Sequence, residues 1–202
     1  FQKKNVPGAR VLVRYLTLES GANRPFPIYF ISASPPQMEQ KIRTKLEIDG
    51  INPYGAFFKD NLRNLKPKYF RRLTQQVGFK LQALLQLRVR LKDDVKMILF
   101  GDDSETDAVV YSLFSDSCSR RLTKSDLVRV MDDLNVIGSQ QEMILELQDR
   151  IPTQDPVERI YINLANDTDP DYYEKFGRRC FPSFNTFQIA LDLYQDGRLR
   201  HM

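Results

Sequence analysis

The sequence predicts an α/β fold, a mainly parallel sheet flanked by helices. Three observations point there. Short β-branched or aromatic runs alternate with longer amphipathic ones, as in βα units. Two of the apolar runs end abruptly in polar residues, the form strands take where they deliver loops to a site. The chain of 202 residues, 42% hydrophobic, is long enough to bury a core, so one domain spanning 1–202 is expected.

The opening "VPGARVLVRYLTLES" (residues 6–20) is compatible with an alternating strand through Val11, Val13 and Tyr15. Pro7 and Gly8 ahead of Leu12, Tyr15 and Leu16 favour a helix instead, and a helix is expected. "FPIYFISAS" (26–34) is the first strand. "PPQMEQKIRTKLEIDG" then opens on prolines, spaces Met38, Ile42 and Leu46 four apart and closes near Gly50, which predicts a helix. "YGAFFKD" (54–60) is a short second strand. "VGFKLQALLQLRVRLKDD" lines Phe79, Leu84, Leu87 and Leu91 along a helical face, and "VKMILFGDD" is the third strand.

"DAVVYSLFSD" is a helix by length and position. Two helices follow in 117–156, a helical insertion. Thr123 with Asp126 and Ser139 with Glu142 mark their starts as capping boxes. "VERIYINLAN" (157–166) is the fourth strand. "FNTFQIALDLYQDG" closes the pattern with a helix whose stripe is Phe187, Ala190, Leu191 and Tyr194 and whose C-cap is Gly197.

Composition excludes several functions. Thirty Lys and Arg against twenty-six Asp and Glu leave +4, a mild excess that does not call for nucleic acid, and none is expected. Cys118 and Cys180 have no zinc-ligand spacing, and the one histidine, His201, is near the C-terminus. Structural zinc and Ser-His or Cys-His nucleophile systems are therefore unsupported. No run approaches the roughly 20 apolar residues of a membrane span. The chain opens at Phe1 with neither a signal-peptide core nor a transit-type segment, so a processed or truncated start and a cytoplasmic location, extending to the membrane periphery, are expected.

Chemistry concentrates in "FGDDSETD", where a buried strand ends in four acidic residues within six positions. Asp102 and Asp103 end the strand and Asp107 opens the next helix. Carboxylates this close suit a hard, oxygen-liganded cation such as Mg²⁺; equally, acidic residues at a helix start complement its dipole. Ser32 and Ser34 end the first strand, where a hydroxyl can donate to a phosphoryl oxygen or, at Ser34, cap the following helix. Lys80 is expected in the first turn of its helix, a placement the macrodipole disfavours.

In chain order, the Ser-ending strand "YFISASPPQM", Lys80 and "KMILFGDDSETDAVVY" resemble motifs II, III and IV of the haloacid dehalogenase-like phosphohydrolases. Together with "VPGA" they resemble more closely the catalytic domain of the actin-patch-associated phosphatidate phosphatase family and its bacterial relatives. The resemblance covers about 6–116, and "FNTFQIALDLYQDGRL" is similar to a terminal helix of bacterial members. It implies a three-layer Rossmannoid fold with little or no cap and a Mg²⁺-dependent phosphatase. Ser32, with Ser34 as substitute, would hydrogen-bond the phosphoryl group, and Lys80 would offset its charge. Asp102 would bind Mg²⁺, Asp103 would take a second acidic role at the metal, and Asp107 would support the metal site or hold Lys80.

The family's Asp-x-Asp-x-Thr nucleophile motif is absent. "DTDPD" (167–171) has the acidic spacing but follows the fourth strand. The motif and the central strand that carries it are expected upstream of Phe1. A site without a lid implies a large phosphorylated substrate such as phosphatidate, and the basic "KPKYFRR" (66–72) reads as a solvated loop or a face for anionic membrane. The alternative is a catalytically inactive binding module of the same fold; a response-regulator-like phosphoacceptor fits less well, because its nucleophile would need a different strand and a Thr/Lys order that the sequence does not show.

Overall fold

In the computed structural model, residues 7–18, 26–34, 36–58, 70–103, 106–165 and 167–199 are described. They fall into two compact units, Phe1–Asn61 with Ser183–Met202, and Leu62–Pro182.

In the first unit the opening segment is helical, as expected. Gly8, at φ +82°, makes the turn into α1 (Ala9–Leu18), and its carbonyl accepts from Leu12 N at 2.9 Å. Leu12 and Leu16, one turn apart, are the buried positions. Strand β1 (Tyr29–Ser32) is the centre of the predicted 26–34 run. It pairs in parallel with β2 (Gly55–Phe58), Tyr29 opposite Gly55 and Ser32 opposite Phe58. Gly55 leaves room for the Tyr29 ring: a Cβ there would lie 2.8 Å from Tyr29 Cδ1.

The connection is a 3-10 turn (Pro36–Met38) and α2 (Glu39–Ile48), which stops before Gly50 at φ +68° as its sequence predicts. Residues 59–60 of the second predicted strand lie outside the described residues.

The second unit is built on the order β3-β4-β5. Strand β3 (Met97–Asp102) runs parallel to β4 (Val157–Asn163), with one irregularity between Met97 and Ile98 and with Asp102 opposite Asn163; β5 (Cys180–Ser183) is the outer strand. Phe100 stacks on Tyr161 at 5.2 Å, and Tyr161 meets the edge of Phe181, so aromatic rings tie the three strands on one face.

Helix α3 (Phe70–Arg90) packs against α4 (Asp107–Ser119) and against α6 (Gly138–Asp149). Val77, Leu81, Leu84 and Leu85 of α3, Val110 and Phe114 of α4, and Ile144 of α6 are buried to 2% exposure or less. Gly78 permits a close approach, since a Cβ would lie 2.8 Å from Val136 Cγ1.

The predicted insertion 117–156 holds α5 (Lys124–Asp133) and α6. Thr123 caps α5 as expected, accepting from Asp126 N at 3.1 Å. The Ser139 box does not form: α6 starts earlier, capped at Ile137 without a side-chain bond. There the turn is held by Asn135 at φ +53° and by Gln141, whose amide donates to Val136 O at 2.9 Å and to Asp132. Below the sheet's amino end, Asp155 accepts from Ser115, Arg121, Arg179 and Val157 N, joining α4 to both neighbouring strands.

The closing helix is α7 (Thr186–Gln195), in the first unit. Its predicted stripe is not the buried one. Phe187 is 75% exposed, and Leu191 and Tyr194 also face out, while Thr186, Ile189 and Leu193 are buried. The reason lies at its start, where Thr186 donates to Pro7 O at 2.7 Å and turns the Ile189 line inward. Asn185 caps the helix through Gln188 N, and Gly197 ends it at φ +68° as predicted.

Candidate active site

The carboxyl end of β3 and the start of α4 meet at a glycine. A Cβ on Gly101 would lie 2.4 Å from Asp107 Cβ and 2.5 Å from Asp107 Oδ2, so only glycine lets the carboxylate lie against the strand. From that position Asp107 Oδ2 accepts from Asp102 N at 3.2 Å, and Oδ1 forms an ion pair with Lys80 Nζ. Lys80 and Asp107 are each 5% exposed, so the pair lies in low dielectric, where each charge depends on the other. Tyr111 of α4 donates to Phe100 O at 2.8 Å, a second tie between helix and strand.

Lys80 does not open its helix. The run 70–76 continues the helical pattern upstream without a proline, so α3 begins at Phe70 and Lys80 lies mid-helix, where the macrodipole says little. The charge is explained by pairing instead.

Asp103 turns away from this pair. Its Oδ2 accepts from Ala165 N at 2.7 Å and from Thr168 Oγ1, and its own N donates to Asn163 O at 3.1 Å. The turn after β4 is thereby fastened to the end of β3. Burial raises Tyr173 above its ordinary phenol range, and the Asp103 carboxylate adds to the shift. Residues 104–105 between Asp103 and Thr106 lie outside the described residues.

Two buried polar atoms at this end have no partner among the described residues: Asn163 Oδ1, on the strand beside Asp102, and Thr106 Oγ1, at the start of α4. Burying such a group unpaired costs about 1–3 kcal/mol. Among the described residues no three His, Cys, Asp or Glu side chains converge as a metal cluster.

In the first unit, Ser32 ends β1 nearly buried. Its Oγ accepts from Ser34 N at 3.2 Å, which leaves the hydroxyl hydrogen for a further acceptor; Ser34 is half-buried. The basic 66–72 stretch falls outside the residues whose side chains are described.

Residues 1–124 match the domain family described as phosphatidate phosphatase APP1, catalytic domain. The chain belongs to that family. No curated protein and no solved structure matches it. Membership in the phosphatidate phosphatase family makes the chain a phosphatase domain and implies a phosphorylated lipid substrate. The match takes in Ser32, Ser34, Lys80, Asp102, Asp103 and Asp107 and ends at the first residue of α5. Asn163 and the Asp103 latch partners Ala165 and Thr168 lie beyond the phosphatidate phosphatase match, and sequence reasoning passed over them. The one available signal was an asparagine ending a run of Ile160, Tyr161 and Ile162.

Proposed function

We propose that this chain belongs to a Mg²⁺-dependent phosphatase of the haloacid dehalogenase-like type that hydrolyses a phosphate monoester on a lipid such as phosphatidate. The observation that carries the reading is the buried Lys80–Asp107 pair beside Asp102 N at the carboxyl end of β3. A buried ammonium at a strand end, oriented by one carboxylate, is a preorganised charge for the oxygens of a transferring phosphoryl group.

The residues fit the metal. Asp102 and the orphaned Asn163 Oδ1 at this end are oxygen ligands of the kind Mg²⁺ takes, and one or two carboxylates with water and substrate phosphate suffice for it. Asp102 would hold the ion, with Asp103 in a supporting acidic role. Bound there, Mg²⁺ would neutralise negative charge on the phosphoryl oxygens. Ser32 would donate its hydroxyl hydrogen to a phosphoryl oxygen, with Ser34 as substitute. Lys80 would offset charge on the phosphoryl group and on the nucleophile, and Asp107 would fix the lysine. The nucleophile would be an aspartate on a strand preceding Phe1, which forms an aspartyl-phosphate that water then hydrolyses.

Between Ser32 and Lys80 the described elements are the 3-10 turn, α2, β2 and the first half of α3, none of them a cap domain, in keeping with a large substrate such as a lipid phosphate; the site would work in the cytoplasm, at a membrane surface. No helix among the described residues is long and apolar enough to cross a membrane.

The test is phosphate release by the full-length protein from para-nitrophenyl phosphate and from phosphatidate vesicles. Release that needs Mg²⁺ and nearly vanishes in Asp102→Ala is expected. Undiminished turnover in that variant ends the assignment.

A further inference from the structure

We propose that Asn163 supplies an oxygen, its side-chain Oδ1, to the cation held by Asp102, and that Asp103 is the positioning residue that keeps the end of β4 in place for it. The proposal rests on the cation reading above but reaches residues that the family match does not include.

Register is the first ground. Asn163 is the parallel partner of Asp102, so the two side chains stand on the same face of the sheet, on strands about 4.8 Å apart. No other pair along β3 and β4 joins a carboxylate to a carboxamide: the pairs before it are Gly101 with Ile162, Phe100 with Tyr161 and Leu99 with Ile160.

Burial is the second. Asn163 Oδ1 is closed off from solvent and accepts from no donor among the described residues. An apolar side chain of the same size would fill the space without leaving a desolvated acceptor. A buried oxygen next to a carboxylate at the carboxyl end of a parallel sheet suits a hard cation or a water on that cation, and the neighbouring Asp102 favours both.

The third ground is the latch. Asp103 Oδ2 takes hydrogen bonds from Ala165 N and Thr168 Oγ1, and Asp103 N donates to Asn163 O. These bonds pin the residues immediately after Asn163 to the end of β3. Asp103 therefore acts on the cation through β4, and Asn163 is the residue through which it acts.

The experiment measures Mg²⁺ alone, by calorimetric titration of the full chain and by the rise in melting temperature on adding Mg²⁺. Asn163→Leu removes the oxygen at nearly constant volume. It should melt at or above wild type without Mg²⁺, bind Mg²⁺ roughly tenfold or more weakly, and lose most of the Mg²⁺-induced rise. Asn163→Asp keeps an oxygen in place and should bind at least as tightly as wild type. Thr168→Val removes one of the two latch bonds without touching a carboxylate, and should weaken Mg²⁺ binding while lowering hydrogen-exchange protection at Ala165 N. Wild-type affinity in Asn163→Leu overturns the proposal and leaves the Asp102 site standing. Absence of Mg²⁺ binding in wild type overturns both readings. Loss of binding in Asp103→Ala, with Asn163→Leu and Thr168→Val unaffected, makes Asp103 the ligand and overturns the positioning role.

Discussion

Gly101→Ala is the sharpest probe of the site, because the added methyl meets atoms that cannot step aside. Its Cβ would lie 2.4 Å from Asp107 Cβ and 2.8 Å from Asp107 Cγ, where ordinary contact begins at 3.4 Å. A rotamer change moves Cγ and the carboxylate but leaves Cβ in place, so the end of β3 and the start of α4 must part by about 1 Å. Forcing a methyl into a filled space costs about 1–3 kcal/mol, and pulling Asp107 off Lys80 exposes part of the 3–5 kcal/mol seen when a buried pair is broken. A loss of about 3 kcal/mol corresponds to roughly 6–12 °C in Tm for a chain of this size. Gly138→Ala is the control: a Cβ there meets nothing within 4 Å, and the change should be neutral or stabilising by about 0.4–1 kcal/mol. Differential scanning calorimetry of both variants decides it. If Gly101→Ala melts within 2 °C or so of Gly138→Ala, by the same scaling the close packing of Asp107 on Gly101 is refuted.

Other outcomes follow from the same contacts. Lys80→Met strands the Asp107 carboxylate in the core and should cost about 3–5 kcal/mol in urea denaturation. Adding Asp107→Asn should recover part of that, whereas additivity within about 0.5 kcal/mol would deny the coupling. Burial opposes ionisation of Asp155, but hydrogen bonds from Val157 N, Ser115 and Arg121, with the charge of Arg179, outweigh it and hold the carboxyl below its ordinary value. A depressed carboxylate stabilises the fold above its unfolded pKa and loses that contribution as pH falls through the folded one. The stability gap between wild type and Asp155→Asn should therefore be full near pH 7 and close below about pH 4, and a pH-independent gap would contradict it. Burial pushes the Cys118 thiol up to about 12 and the Cys180 thiol up to about 11, so both stay protonated at pH 8. Ellman's reagent should react with them only after denaturation; rapid labelling of the native protein would show that they are not buried.

Much of this fold is legible locally. The strands at 26–34, 95–103 and 157–166, the helix at 6–20, the Thr123 cap and the glycines at 50 and 197 all appear where spacing and capping place them, because each depends on neighbours within a turn or a pleat. Legibility fails where two local patterns compete. Helix α7 carries two apolar lines, Ile189 with Leu193 and Phe187 with Leu191 and Tyr194, and periodicity favours the larger side chains. The hydrogen bond from Thr186 to Pro7 decides between them, from 179 residues away. At Ser139, the hydroxyl and Glu142 were spaced to cap, but Gln141 held the turn first.

The sequence by itself determined the order of the motifs: a strand ending at Ser32, a lysine at 80, and Gly-Asp-Asp running into Asp107. It also determined the alternation that makes the sheet parallel. Tertiary structure alone decided what those residues touch. Lys80 finds its carboxylate 27 residues on, Asp103 its two donors 62 and 65 residues on, and Asp102 its neighbour Asn163 across a parallel strand pair. Periodicity reports which face of an element is apolar. Which oxygen meets which ammonium depends on how far the chain travels before it returns, and that is set by the packing of α3, α4 and β4.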